Sequence, residues 1–193
     1  MKNLILATFF LASAFLSHSQ FKQLVVKQVD NGGVVPGKTY RVYVELMNDK
    51  NDLRTVYGDT LHPMIIESTK PFYQNPYGGA MANEVNNILA QEKTELRYDS
   101  WVTIGRENNL DNAINNFQVK FENFEKGGKI ETYDGAWFCT PDHKQTWAKD
   151  NNMQILIGQF TSEGKVTGII NLMGKDNEGA VWQETNVKFT CGK

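Results

Sequence analysis

The feature that most limits what this chain can fold into is a strict two-residue alternation, clearest from Thr39 to Leu46. There Tyr40, Val42, Val44 and Leu46 alternate with Thr39, Arg41, Tyr43 and Glu45. Successive side chains of a strand point to opposite faces, so this pattern describes a strand with one buried face. Similar segments recur between turn signals. Phe21 to Val29 is rich in β-branched residues and ends at Asp30-Asn31-Gly32-Gly33. Leu53 to Tyr57, Met64 to Ser68, Leu96 to Ile104, Phe117 to Phe124, Lys129 to Thr132 and Ala136 to Cys139 read as further short strands. Gln154 to Thr161 and Lys165 to Leu172 flank Ser162-Glu163-Gly164, which reads as a hairpin loop. Val181 to Thr185 and Val187 to Cys191 complete the series. One segment departs from the pattern. From Ala80 to Gln91, Met81, Val85, Ile88 and Leu89 recur at helical spacing, which predicts one short amphipathic helix over an edge or end of the sheets. The expectation is an all-β fold with one short helix, an antiparallel β-sandwich.

The first residues follow a different logic. Met1 and Lys2 precede an apolar run from Leu4 to Leu16, and Ser17 and Ser19 flank His18. That order is the one of a secretory signal peptide, with cleavage expected after Ser19. The run is shorter than the ~20 apolar residues that cross a bilayer. Residues 1–19 are therefore set aside as a signal peptide, and 20–193 is expected to form a single β-sandwich domain that carries no membrane span and resides in the periplasm or at the cell surface. The whole chain has a formal net charge of -2 and no block of like charge. A nucleic-acid partner would call for a basic stripe, so that class is excluded.

Chemistry-bearing residues are sparse. Cys139 and Cys191 are the only cysteines, and both lie in the exported part. In an oxidising compartment such a pair suits a disulfide, with two separate buried thiols as the alternative. The exported part has two histidines, His62 and His143, without the spacing of a metal site or a catalytic triad. Asp49 and Asp52 share one loop, and Asp176 and Glu178 another. Calcium takes ligands from such loops, but neither matches the EF-hand spacing and ordinary turns use the same residues. No other cofactor is indicated, and no catalytic residue stands out.

Aromatic residues are the remaining lead. Phe72-Tyr73-Gln74-Asn75-Pro76-Tyr77-Gly78-Gly79 places three rings beside prolines and a glycine pair. Rings on a proline-held loop can stack on a sugar or grip a partner, or they can plug one end of the sandwich. Trp137 and Trp147 are close enough in sequence to contribute, whereas Trp101 and Trp182 sit inside strands and read as core. The candidate binding residues are Phe72, Tyr73, Tyr77, Trp137 and Trp147.

The octapeptide Tyr98-Asp99-Ser100-Trp101-Val102-Thr103-Ile104-Gly105 resembles a domain repeated in large exported proteins of Bacteroidetes. Thr39 to Tyr43, Val56 to Asp59 with Pro63, the loop Phe72 to Gly79, Phe124 to Gly128, Gly135 to Trp137 and Leu156 to Thr161 with Gly164 and Gly168 extend the likeness in order. It spans residues 38–173. The resemblance implies a secreted or surface β domain and carries over no catalytic residue. Such domains usually occur in arrays, and the chain shows no obvious type IX sorting domain. Three functions are weighed: a non-catalytic domain that binds an envelope protein or glycan through the aromatic loop; an accessory plug or docking subunit of an outer-membrane secretion machine such as the type IX system; and a polysaccharide-active hydrolase.

Overall fold

A computed structural model describes residues 20–140 and 143–192, so the expected signal peptide lies outside the described residues. The strands are β1 (Phe21–Val29), β2 (Lys38–Leu46), β3 (Thr55–Gly58), β4 (Met64–Ser68), β5 (Trp101–Val102) and β6 (Ile114–Phe117). They continue as β7 (Ile130–Thr132), β8 (Gly135–Cys139), β9 (Gln154–Ser162), β10 (Val166–Lys175) and β11 (Val181–Cys191). Every pairing between them is antiparallel. The first sheet has the order β1-β2-β9-β5. In the second, β10 is flanked by β11 on one side and by β3 and β4 on the other. The expected all-β sandwich is what forms.

Beside β10, β3 and β4 lie end to end, and β8 and β7 repeat the arrangement one strand further out. The loop Asp59 to Pro63 is extruded at the break between β3 and β4. Asn171, fully buried on β10, holds that break together. Its Nδ2 donates to the carbonyls of Tyr57 (2.8 Å) and His62 (2.7 Å), and its Oδ1 accepts the Asn186 N–H at 2.8 Å. The last contact closes a bulge in β11, where Asn186 is left-handed (φ 56). Val181 to Cys191 is therefore one bulged strand, not the two expected.

The alternation of β2 is realised in full, with Tyr40, Val42, Val44 and Leu46 buried against the second sheet. Phe72, Phe124, Phe160 and Phe189 form a chain of ring contacts through this core, from the Phe72–Phe124 pair at 5.2 Å to the stacked Phe160–Phe189 pair at 6.0 Å. The Phe189 ring lies directly over its cross-strand partner Gly168. A Cβ at Gly168 would sit 2.1 Å from that ring, so only glycine fits.

Four local expectations change. The stretch Ala80 to Gln91 does not form one helix. A 3₁₀ turn at Ala82–Glu84 is followed by extended Val85, and a four-residue helix, α1 (Leu89–Glu92), follows. The reason is Asn86, whose Oδ1 accepts the N–H groups of Ile88 and Leu89 and starts a new turn. Leu96 to Ile104 contributes only β5 as a strand, because Thr94–Tyr98 is a 3₁₀ turn leading into Asp99. Phe117 to Phe124 is not a strand either. Gln118 is left-handed (φ 59), and the Asn116 side chain bonds both backbone groups of Val119, turning the chain out of β6. Finally, β9 and β10 are not a hairpin, since they belong to different sheets. Ser162 Oγ donates to the Lys70 and Pro71 carbonyls and accepts the Gly164 N–H, steering the connection across the sandwich.

The disulfide expectation is also corrected: Cys139 and Cys191 are separate buried thiols. Cys191 pairs with Val166, at the start of β10. Cys139 donates its N–H to Arg54, which donates to Met173 near the other end of β10, and strand β3 lies between. The seven positions from Val166 to Met173 span about 24 Å at ~3.4 Å per residue, against ~7 Å at most between the Cα atoms of a disulfide. Burial pushes the thiols up, to about 11 for Cys139 and about 12 for Cys191.

Two outcomes follow. Thiol titration with a chromogenic disulfide reagent should find no fast-reacting group in the folded protein and both cysteines after denaturation. Gly168→Ala should lower stability by about 1–3 kcal/mol, the range for overpacking a filled core, read as a lower denaturant midpoint in chemical unfolding.

Candidate functional site

The resemblance octapeptide and the aromatic loop meet in space around one carboxylate. Asp99 is fully buried, and its Oδ1 accepts the N–H groups of Asn75 (2.7 Å) and Ser100 (2.9 Å). Its Oδ2 faces the glycine pair of the loop. A Cβ at Gly78 would lie 1.9 Å from that oxygen, so the loop can close over Asp99 only with glycine there. The Gly79 N–H gives Oδ2 some electrostatic relief but no hydrogen bond of good geometry. Burial raises the Asp99 pKa to about 7, against the partial relief of the surrounding N–H groups.

The neighbours of Asp99 bind this segment to the outer face of the first sheet. Ser100 Oγ accepts the Thr161 N–H (3.0 Å), and Thr161 Oγ1 donates to the Tyr98 carbonyl (2.6 Å). Gln159 Nε2 donates to the carbonyls of Arg97 (3.0 Å) and Asp99 (2.8 Å), while its Oε1 accepts from Arg41 Nε (2.9 Å). Around this polar seam lies a second, smaller apolar cluster of Ala82, Val85, Leu96, Trp101 and Leu156. The outward residues Leu156, Gln159 and Thr161 of β9 are thus covered by the chain between Phe72 and Asn109, while Arg41 and Tyr43 of β2 stay partly open.

The candidate aromatics separate into three places. Phe72 is buried against Phe124 and Phe160 and serves the core. Trp137 is fully buried, its Nε1 donating to the Thr103 carbonyl at 3.1 Å. Neither can meet a ligand, which corrects that part of the expectation. Trp147 is half-buried beneath Lys149 Nζ and bridges to Asp52, beyond the start of β9. The aromatic loop bonds to Thr161 at the far end of that strand. The nine residues of β9 put about 27 Å between the two positions. Trp101 and Trp182 are core, as expected.

Tyr73 and Tyr77 remain. Tyr73 is half-buried, and its hydroxyl accepts from Asn75 Nδ2 at 3.1 Å. Tyr77 is 52 % exposed, with Lys93 Nζ 4.3 Å from its ring centre. Together with Pro76, Lys93 and Glu95 they line an open depression of about 250 Å³. Asn75 shapes the loop from within: its Oδ1 accepts the Tyr77 N–H and its carbonyl the Gly78 N–H.

In each acidic loop one carboxylate, Asp52 or Asp176, is committed to structure. Asp52 Oδ2 receives Arg54 at 2.8 and 2.5 Å, and its Oδ1 accepts the Lys175 N–H. Asp176 Oδ1 accepts the N–H groups of Glu178 and Ala180, a turn within its own loop. Among the described residues no group of three or more His, Cys, Asp or Glu side chains is placed to hold a metal ion. Among the described residues, no helix is long and apolar enough to cross a membrane either.

Sequence reasoning overlooked the surface around Arg41 and Glu107. These two form an ion pair at 2.5 Å between β2 and the loop that follows Gly105. The outward position of Arg41 is legible in the alternation of β2. Its partner, 66 positions later, is not.

No family model matches the chain, and no curated protein matches it. Among solved structures, it is similar to the cohesin module of a family 33 glycoside hydrolase from Clostridium perfringens, at 8 % identity and a TM-score of 0.38, over 90 % of this chain and 95 % of that one.

Asp99 binds its proton more tightly in the folded than in the unfolded protein. The stability it contributes is therefore fully present below about pH 3.8 and is lost as pH rises through about 7. Urea unfolding between pH 5 and 8 should show this decline, and Asp99→Asn should flatten it.

Proposed function

We propose that the chain is an exported binding domain of the bacterial envelope or cell surface, and that it engages a protein or glycan through the loop end bearing Tyr73 and Tyr77. The observation that carries this reading is how closely that loop is held. A buried carboxylate, two glycines and the Asn75 side chain hold it in place while leaving the Tyr77 ring half in solvent. A ring presented on a preorganised loop loses little conformational entropy on binding, which favours recognition. Lys93 and Glu95 beside it add charges of both signs, suited to a mixed polar rim. The signal peptide expected at residues 1–19 supports export.

Crosslinking and co-purification of the tagged, processed chain from its native cells tests this reading. A partner recovered with the wild type should fall at least ten-fold with Tyr77→Ala. That substitution should change stability by no more than about 0.5 kcal/mol, as for most exposed positions. Equal recovery with the variant would remove this surface from consideration.

A further inference from the structure

The outer face of the first sheet carries a second surface, separate from the aromatic loop. Between the floor strands and the covering segment runs a polar cleft in two halves, of about 440 Å³ and about 420 Å³. Each is within the ~300–1,000 Å³ of small-ligand sites. Both halves share Arg41, Glu107 and Asn108. The Arg41–Glu107 pair thus stands between them like a bar. The geometry points to a binding site for a neutral oligosaccharide chain, laid across both halves of this cleft.

Three observations carry the inference. The first is the repeated composition of the lining. One half has Tyr98 with Asn87 and Gln91; the other has Tyr43 with Asn151 and Gln154. Some of these amide atoms are already engaged: Asn87 Oδ1 accepts from Asn108, Gln154 Oε1 accepts from Lys27 Nζ at 2.6 Å, and Asn151 Nδ2 donates to the Gln145 and Trp147 carbonyls. The Gln91 amide, with Asn87 Nδ2, Gln154 Nε2 and Asn151 Oδ1, is what can meet sugar hydroxyls. Partly exposed tyrosine rings offer an apolar face for the sugar's C–H groups. Lys27 Nζ lies over the Tyr43 ring at 4.6 Å, so Tyr98 is the ring whose face is offered, and a sugar stacking on Tyr43 has to displace that ammonium.

The second is charge. In the first half Arg41 and Arg97 face Asp30 and Glu107, which balances. In the second, Arg41 pairs with Glu107 and Arg106 with Asp111. Lys27, bonded to Gln154, adds one further ammonium at the second half; one charge beyond two ion pairs gives too weak a field to gather a polyanion. Of the cleft's larger apolar members, Val85, Trp101 and Leu156 are buried in the small cluster beneath and Leu110 stands 56 % exposed, so no deep apolar socket is left for a peptide anchor.

The third is preorganisation. Arg41 is held from behind by Gln159, which is itself fixed to the Arg97 and Asp99 carbonyls. Asn108 Nδ2 donates to Asn87 Oδ1 at 3.3 Å across the cleft wall. At the rim, Asn152 and Met153 are consecutive left-handed residues (φ 50 and 67). Strained backbone of this kind persists where the surroundings over-determine it, and it concentrates at binding sites.

This inference rests on the reading of the chain as a binding domain, but on a different surface from the loop. The test is calorimetric titration of the processed chain with cello-, xylo-, manno-, laminari- and chito-oligosaccharides of two to six residues, with alginate oligosaccharides as an acidic comparison. One neutral series should bind, and its affinity should rise at least ten-fold from the disaccharide to the tetra- or hexasaccharide as both halves fill. Glu107→Ala and Gln91→Ala, both exposed positions, should each weaken it at least ten-fold with the thermal midpoint unchanged, and Tyr77→Ala should leave it intact. Absence of binding in every neutral series overturns the proposal, as does binding only to the acidic series or binding that survives both cleft substitutions. A protein partner lost with Tyr77→Ala but no oligosaccharide binding would sink the cleft and keep the loop; a protein partner lost with the cleft substitutions would make the cleft a protein-docking surface instead.

Discussion

The burial of the Asp99 carboxylate is the constraint on which the outer half of this molecule depends. A carboxylate removed from water is costly unless donors surround it. Here two backbone N–H groups converge on one oxygen, one from the residue next in sequence and one from the aromatic loop. The loop must therefore approach closely, and Gly78 is what permits the approach. Phe72 is drawn into the core at the start of the same loop, and Tyr77 is left outside near its end. One buried carboxyl group, through the N–H groups it accepts, thus orders a segment with little regular secondary structure of its own.

The same interaction explains why the first sheet is covered on both faces. Its inner face packs apolar residues against the second sheet, as in any sandwich. Its outer face carries Thr39, Gln159 and Thr161, all fully buried and all hydrogen-bonded. Buried polar side chains need partners, and here the carbonyls of Arg97, Tyr98 and Asp99 provide several of them. The covering segment stops short of Arg41 and Tyr43, and the polar cleft is the part of the sheet face that it leaves open. Cleft and loop are two products of a single packing arrangement.

Where local pattern and tertiary structure disagree, a side chain bonding its nearby backbone is usually the cause. Asn86 divides the expected helix, Asn116 ends β6, and Asp99 and Ser162 redirect the chain around the first sheet. Each of these residue types competes with regular secondary structure for backbone groups. The spacing of apolar residues from Met81 to Leu89 is compatible with a helix, and nothing in that spacing reports the competition. Cys139 and Cys191 illustrate a different gap. Their strands were legible, but the separation of their positions along β10 depends on register.

By itself, then, the sequence determined that this is a sandwich of short antiparallel strands, because two-residue alternation is a local property that each strand carries alone. It also determined which residues of β2 face inward, and that Trp101 and Trp182 belong to the core. Of the candidate site, it determined that residues 72–79 form an aromatic loop, with Tyr98 to Gly105 a separate segment of the chain. Only the tertiary structure decided that these two segments are one unit, that Phe72 and Trp137 are buried, and that Arg41 meets Glu107 above a cleft. The physical reason is distance along the chain. Sheet membership, register and the covering of an outer face arise from contacts between residues tens of positions apart, and no short-range pattern encodes them.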